Sequence, residues 1–335
     1  MTPNIIDSDI VNASTLTALI YMDPMIRARI SELIAGNINL LAPRFPSSPT
    51  ALGSLDQLRR DGIIRLGQVL SKEQCAGIVA AAKQMPCYAG HVPAQSDRIA
   101  RSVEAAKKIS PYASYKISDA IKIPDFLQLA ASPELLGLAD QYFGCAPTIY
   151  SVNLFWTFQG LSKPASTHIW HRDIDDFNFL ALFVYLTDVD EQGGKFQFIK
   201  KSHTLPTCRD YLQSAFPELA DPSRAQQRAE TFFPPLYDEH GPEHMANIER
   251  DLGPEIEDFI GPAGTVFLAD TYGLHRGSIP FTQDRLVCWI RFGLVRNLAY
   301  MTTETVSTDL SLLPHVTIEH DIPWSFRHLI RRGDQ

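Results

Sequence analysis

Residues 166–186 read "STHIWHRDIDDFNFLALFVYL". His171 and Asp173 stand at alternate positions, and an apolar run follows directly. Alternation is the period of a β-strand, so residues i and i+2 project from the same face. Two such side chains can share one metal ion, or serve equally as a surface pair. The run behind them, 177–186, is strongly apolar. It is also far shorter than the roughly 18 residues of a membrane span.

Outward from this stretch the texture remains that of strands. "TIYSVNLFWTF" (148–158) precedes it, "KFQFI" (195–199) follows, and "GTVFLAD" (264–270) and "RLVCWIRFGLV" (285–295) come after a gap. Strands at short intervals without alternating helices predict an antiparallel sandwich or barrel. Helices flank it. "SKEQCAGIVAAAKQM" (71–85) has Ser71 as a cap with Gln74 three residues on, a capping box. "SPELLGLADQYFG" (132–144) has Ser132 as cap, Pro133 in the first turn and Gly144 as the stop. "LDQLRRDGIIRLGQVL" (55–70) reads as a short helix and then a strand.

Residues 12–41 carry apolar residues at helical steps, with Pro24 starting or kinking a helix, and "APRFPSSPTALGS" (42–54) reads as a connector. The expected organisation is an N-terminal helical extension and linker (1–54), a β-rich domain (55–300) and a C-terminal extension (301–335). Insertions at about 88–118, a partly helical flap, and 204–258 are the candidate lids, since long insertions between barrel strands are often functional.

Composition narrows the function. The chain has 335 residues and a formal charge of -8, a poor match to a general nucleic-acid binder, which needs a basic footprint. Five scattered cysteines, with no CxxC, argue against a disulfide framework and a cysteine-based zinc site. The first ten residues lack the pattern of a signal peptide. A reducing cytoplasm is the expected location.

A third ligand candidate lies downstream in "GPAGTVFLADTYGLHRGSIPFTQDRLVCWIRF" (261–292), where His275 follows an apolar strand and Arg285 opens the next. Two histidines and one carboxylate on one face of an octahedral ion leave three positions open, as in non-haem Fe(II) oxygenases. Those positions can hold a bidentate 2-oxo acid and O2. The distal carboxylate of such an acid needs a cation, and Arg285 can grip it with two parallel hydrogen bonds. Arg285, Val287, Trp289 and Arg291 share one face of their strand, which makes Arg291 the fallback anchor.

These residues resemble the phytanoyl-CoA dioxygenase-like branch of the Fe(II)/2-oxoglutarate-dependent oxygenases. The likeness covers most of residues 55–295: "DGIIRLGQVLSKEQ", "PELLGLADQYFG", "WHRD", "GGKFQFIKKSH", then His275 and Arg285. It implies a double-stranded β-helix, a jelly roll with helices outside. It implies His171, Asp173 and His275 as iron ligands and Arg285 as the anchor of 2-oxoglutarate. It implies cleavage of 2-oxoglutarate by O2 to succinate and CO2, coupled to attack on a substrate C–H. Related halogenases carry a small residue in place of the carboxylate, so Asp173 points to hydroxylation, desaturation or ring chemistry. The chain departs from the family where Lys200 and Lys201 precede Ser202, in place of a frequent Pro-Gly. Arg285 also lies one residue nearer its histidine than in some relatives.

The expected partner is a small-molecule substrate, with no nucleic acid and no membrane span. The alternatives are a zinc or manganese isomerase or hydrolase of cupin type, and a ligand-binding barrel without chemistry. Other polar residues carry bland expectations. His168 reads as a surface or supporting residue, Asp175 as a supporting acceptor or a solvated rim residue, and Asp176 and Asp270 as turn residues. His203 reads as a loop contact, and His240 and His244 as loop residues. Phe183 and Tyr185 read as barrel core first, with pocket lining as the alternative. Arg98, Arg101, Lys107, Lys108, Lys200, Lys201 and Arg209 would form a basic rim suited to an anionic substrate if they converged.

Overall fold

The computed structural model describes residues 24–46, 49–90, 99–123, 129, 132–161, 164, 166–173, 175–203, 246, 249–250, 252–295, 306–308, 324–326 and 330–332. Its strands are β1 (Ile63–Gln68), β2 (Tyr88–Ala89), β3 (Tyr112–Ser114), β4 (Thr148–Thr157), β5 (Phe179–Tyr185), β6 (Phe196–Ile199), β7 (Ile256–Phe259), β8 (Thr265–Ala269), β9 (His275–Gly277), β10 (Arg285–Gly293), β11 (Val306–Thr308) and β12 (Ile330–Arg332). The helices are α1 (Pro24–Ile38), α2 (Pro49–Asp61), α3 (Lys72–Gln84), α4 (Val103–Lys107), α5 (Ile117–Ala120) and α6 (Pro133–Phe143).

A large sheet runs in the order β1-β8-β5-β10-β4-β3-β2 and a small one in the order β7-β6-β9. All pairings within both are antiparallel. The apolar run that follows the His-Asp pair is β5, between β8 and β10 near the middle of the large sheet. The two sheets face each other as a double-stranded β-helix with helices packed outside.

Strand alternation divides the core in two. Ala181, Phe183, Tyr185, Phe267, Ala269, Val287 and Trp289 point between the sheets, where Phe196, Phe198 and Phe259 of the small sheet meet them. Their neighbours Leu180, Leu182, Val184, Val266, Leu268, Leu286, Cys288 and Ile290 point the other way, into the layer shared with Ile78, Ala82, Leu136 and Ala139 of the helices. A one-residue change of register would exchange these sets, so burial on both faces fixes the pairing. Each large apolar side chain so buried contributes about 1.5–3 kcal/mol.

The cap signals are realised. Ser71 accepts from the Gln74 amide while the Gln74 side chain accepts from the Ser71 amide. Ser132 caps α6, which ends at Gly144 with φ 74°. Three readings need correction or extension. The connector is shorter than 42–54, because α2 already begins at Pro49, a residue suited to a first helical turn. Residues 88–118 do contain a helix, α4, but their flanks pair as β2 and β3 at the edge of the large sheet. Pro24 is the first residue of α1; the helical reading of 12–23 lies outside the described residues, as do Arg98, Arg209, His240, His244, Cys208 and residues 204–245. The other four cysteines are free and buried.

Candidate metal and co-substrate site

Residues 171–173 run along the open edge of β9. His171 and His275 form an isolated antiparallel bridge, each amide donating to the other's carbonyl at 3.0 Å, and the Asp173 amide donates to Thr271 O at 2.9 Å. The segment thus extends the small sheet by one short rung. It brings two places in the chain about a hundred residues apart into contact, with the His171 and His275 ring centroids 4.2 Å apart.

Asp173 completes the group. Its Oδ2 lies 3.6 Å from His275 Nε2, and its Oδ1 lies 4.0 Å from His171 Nε2. One ligand atom from each of the three residues falls within 4.8 Å of the others. The tautomers follow from the backbone. His171 Nδ1 sits 2.7 Å from Ile169 O and His275 Nδ1 2.9 Å from Gly273 O. A carbonyl only accepts, so both rings donate from Nδ1, and both Nε2 atoms face the cluster. Burial, and then the neighbouring His171, push His275 down to about 3, which keeps its imidazole neutral. Burial also opposes ionisation of Asp173, but Arg291, followed by His275 and His171, outweighs it and holds the carboxyl below the usual carboxylate range. Two imidazoles turned by their Nε2 atoms toward one carboxylate are a donor set that could hold an octahedral divalent cation on one face.

The loop that presents His275 is pinned from below. Ser202 Oγ donates to Ile199 O at 2.6 Å and accepts from the Leu274 amide at 2.7 Å. Arg172, between the two candidate ligands, donates to Tyr272 O at 2.7 Å and Ser202 O at 3.0 Å. The Ser-His landmark thus supports the His275 loop from the neighbouring strand end. His203 makes the structural contact expected of it, its Nε2 lying 3.1 Å from Arg59 O.

Arg285 enters at the first residue of β10 and is buried. Its guanidinium donates to Gly194 O and, at 3.1 Å, to Thr157 Oγ1. Among the described residues its Nε has no hydrogen-bond acceptor and no carboxylate lies within ion-pair distance. Gly277 faces it: a Cβ there would stand 3.2 Å from Arg285 Nη2. Gly277 is two residues beyond His275 on β9, so the guanidinium sits about 7 Å along the barrel from the histidine.

Arg291 is not available as an anchor. Its Nη1 lies 3.0 Å from Asp173 Oδ2 and also bonds Asp175 Oδ2, and its guanidinium stacks over the Trp289 ring at 4.4 Å. Asp175 is the acceptor rather than a rim residue, buried and bonded also by Tyr150 OH at 2.9 Å. Of the two readings of His168, surface or supporting, the surface one is corrected: the residue is 2% exposed and its Nδ1 lies 2.9 Å from Tyr112 OH. Asp176 and Asp270 hold turns, as expected, but from buried positions. Asp176 accepts from the amides of Phe177, Leu294 and Val295, and Asp270 from Tyr272 N. Phe183 lies in the inner core, stacked on Phe267. Lys107 and Lys201 of the expected basic rim are paired with Asp284 and Glu255.

The sequence reading missed Tyr112 and Tyr150. Tyr112 sits on a three-residue strand that has no readable period. Tyr150 sits where the β4–β10 register shifts, Arg291 pairing with Ser151 and Phe292 with Ile149. Arg291 itself did carry a signal, since an arginine inside an otherwise apolar strand demands a buried partner.

A two-sheet jelly roll with two histidines and an aspartate converging at one rim is an architecture that could hold a divalent metal ion. The chain belongs to the phytanoyl-CoA dioxygenase (PhyH) family, whose model matches residues 58–236. It is a 2-oxoglutarate-dependent oxygenase-type enzyme that works with Fe(II), 2-oxoglutarate and O2. The matched span includes His171 and Asp173, whereas His275 and Arg285 lie beyond it. No curated protein matches the chain by sequence. Among solved structures it is similar to EctD from S. alaskensis with 2-oxoglutarate and 5-hydroxyectoine, at 20% identity over 88% of this chain and 90% of that one, TM-score 0.47. It is similar to HygX from Streptomyces hygroscopicus with nickel and 2-oxoglutarate, at 14% identity over 79% and 92%, TM-score 0.46. It is also similar to the epimerase SnoN of nogalamycin biosynthesis, at 17% identity over 73% and 84%, TM-score 0.47. Among the described residues no helix is long and apolar enough to cross a membrane.

Proposed function

We propose that His171, Asp173 and His275 hold the ferrous ion, that Arg285 grips the distal carboxylate of 2-oxoglutarate, and that the enzyme hydroxylates an unactivated C–H of a small molecule. Bound iron with 2-oxoglutarate and O2 supplies the oxidant: one oxygen atom goes to succinate, formed with release of CO2, and the other to the substrate as hydroxyl. The chain supplies placement. The two Nδ1–H bonds to Ile169 and Gly273 turn both Nε2 atoms toward Asp173.

The observation that carries this reading is Arg285. A buried guanidinium without a carboxylate is costly, and an incoming anion satisfies it. Its place one strand step beyond His275 suits an acid whose keto end binds metal and whose far carboxylate extends along β9. An isomerase or hydrolase using the same three ligands has no use for that cation. The presence of Asp173 favours hydroxylation over halogenation, because the carboxylate occupies the position a halide would need. We read residues 55–300 as the oxygenase domain, with extensions at 1–54 and 301–335.

The test is anaerobic. Fe(II) and 2-oxoglutarate added to the protein should give the weak visible charge-transfer band of the chelate. Arg285→Ala should require about a hundredfold more 2-oxoglutarate to reach it, as expected when a paired carboxylate loses its charge-assisted bonds. A band that never forms, or one that forms at the same concentration in the variant, overturns the assignment.

A further inference from the structure

Asp173 has two oxygens, and a ferrous centre can take one or both. If both bind, one of the three positions needed by 2-oxoglutarate and O2 is lost. The surroundings of Asp173 bear on that choice. Arg291 Nη1 lies 3.0 Å from Oδ2, inside the barrel, with the guanidinium backed by the Trp289 ring. Arg291 is in turn held by Asp175, two residues beyond Asp173 in the chain. Asp175 is held by Tyr150 OH at 2.9 Å.

Tyr150 is the extra residue of β4 where the pairing with β10 skips, between Ser151 and Ile149. A bulge bends its strand and re-aims a side chain; here it accompanies a fully buried tyrosine that reaches Asp175. The chain Tyr150–Asp175–Arg291–Asp173 is therefore built, with two carboxylates compensating one guanidinium.

We propose that Arg291 is a positioning residue that keeps Asp173 to a single metal-binding oxygen, with Asp175 and the bulged Tyr150 as its fixed support. The inference rests on the ligand assignment above. The Arg291 charge stands at ion-pair distance, 3.0 Å, from Oδ2 and attracts that oxygen, which a freely turning carboxylate could otherwise commit to the ion. Three adjacent positions then stay open.

The test reads coordination directly. Mn(II) bound to the wild-type protein is examined by electron paramagnetic resonance in 17O-enriched water, where line broadening counts bound waters. About three waters are expected for one carboxylate oxygen and two imidazoles on a six-coordinate ion; two waters, with the protein holding one Mn(II), overturn the proposal while leaving the ligand set intact. Failure of the wild type to bind Mn(II) at all overturns the ligand assignment and this inference with it. Asp175→Asn/Arg291→Gln removes both charges together, so no buried charge is stranded. It should still bind Mn(II), show one water fewer, and lose roughly tenfold or more in 2-oxoglutarate affinity. Arg291→Lys restores a cation and should recover most of that loss. An unchanged water count and affinity in the folded double variant also overturn the proposal; should that variant not fold, the wild-type water count decides alone.

Discussion

The Arg291 guanidinium lies 3.0 Å from Asp173 Oδ2, whereas Arg285, six residues earlier on the same strand, meets no carboxylate among the described residues. Both arginines face the space between the sheets. One is paired with the protein's own acids; for the other we propose an anion from outside. This asymmetry separates the roles of two chemically identical side chains and leads to the following expectations.

His171→Ala should abolish succinate formation and leave the fold in place. The side chain contributes a hydrogen bond to Ile169 O, worth about 1 kcal/mol, and sits at the rim rather than in the aromatic core. Circular dichroism and a melting curve beside a succinate assay will check this. Loss of the fold in the variant, with the metal-free wild type folded, would assign the residue a structural role.

Arg285→Met should weaken 2-oxoglutarate binding by about a hundredfold while shifting the melting temperature little, because relief of a buried charge offsets the bonds lost at Gly194 and Thr157. Gly277→Ala should act on the same step. The new methyl would stand 3.2 Å from Arg285 Nη2, so KM for 2-oxoglutarate should rise with a smaller effect on kcat. Steady-state kinetics on the co-substrate distinguishes the two parameters.

Ser202→Ala should cost about 1–3 kcal/mol, since it leaves the buried Leu274 amide without its acceptor. The loop it holds carries His275, so metal affinity should fall along with stability. Thermal melting followed by a Co(II) titration measures both; a destabilised variant with unaltered metal affinity would show that the pin supports the fold alone.

Acid should destabilise the metal-free protein through His275. Its folded value of about 3 lies below the ordinary 6.5, so the unfolded chain binds the extra proton between those values. That part of the stability is complete above about 6.5 and is lost as pH falls toward 3. Asp176 works in the opposite sense, because burial raises its carboxyl to about 7 and the folded state takes up a proton first as pH falls. Urea titrations at pH 7 and pH 5 on wild type and His275→Gln isolate the histidine. The variant should lose less stability on acidification than the wild type does, and an equal loss would exclude His275 as the source.

The parts legible in sequence are those where a local period and a buried face agree. β5, β8 and β10 were legible as strands from their apolar runs, alternation in β10 also gave the face shared by Arg285, Val287, Trp289 and Arg291, and α3 and α6 carried their caps in plain sight. The meeting of His171 with His275 was inferred from residue types and the order of elements. The structure supplies the bridge of backbone hydrogen bonds that makes it happen. Illegible were contacts made by single residues across distant strands. Nothing local in "TIYSVN" marks Tyr150 as a bulge, and the burial of His168 depends on Tyr112, which lies fifty-six positions away. The alternation through Asp175 left rim and interior equally open, because the deciding partner, Arg291, comes from another strand.

The skip in pairing beyond Arg291 has a genetic corollary. From Arg285 to Arg291 the ladder with β4 runs unbroken, and the irregularity falls just past the last inward arginine. Deleting or inserting one codon within that stretch would invert the strand's facing and strand one arginine or the other in the helical layer. Length variation among natural homologues should therefore collect in the turns on either side of this strand and spare its interior, however freely the outward-facing letters drift.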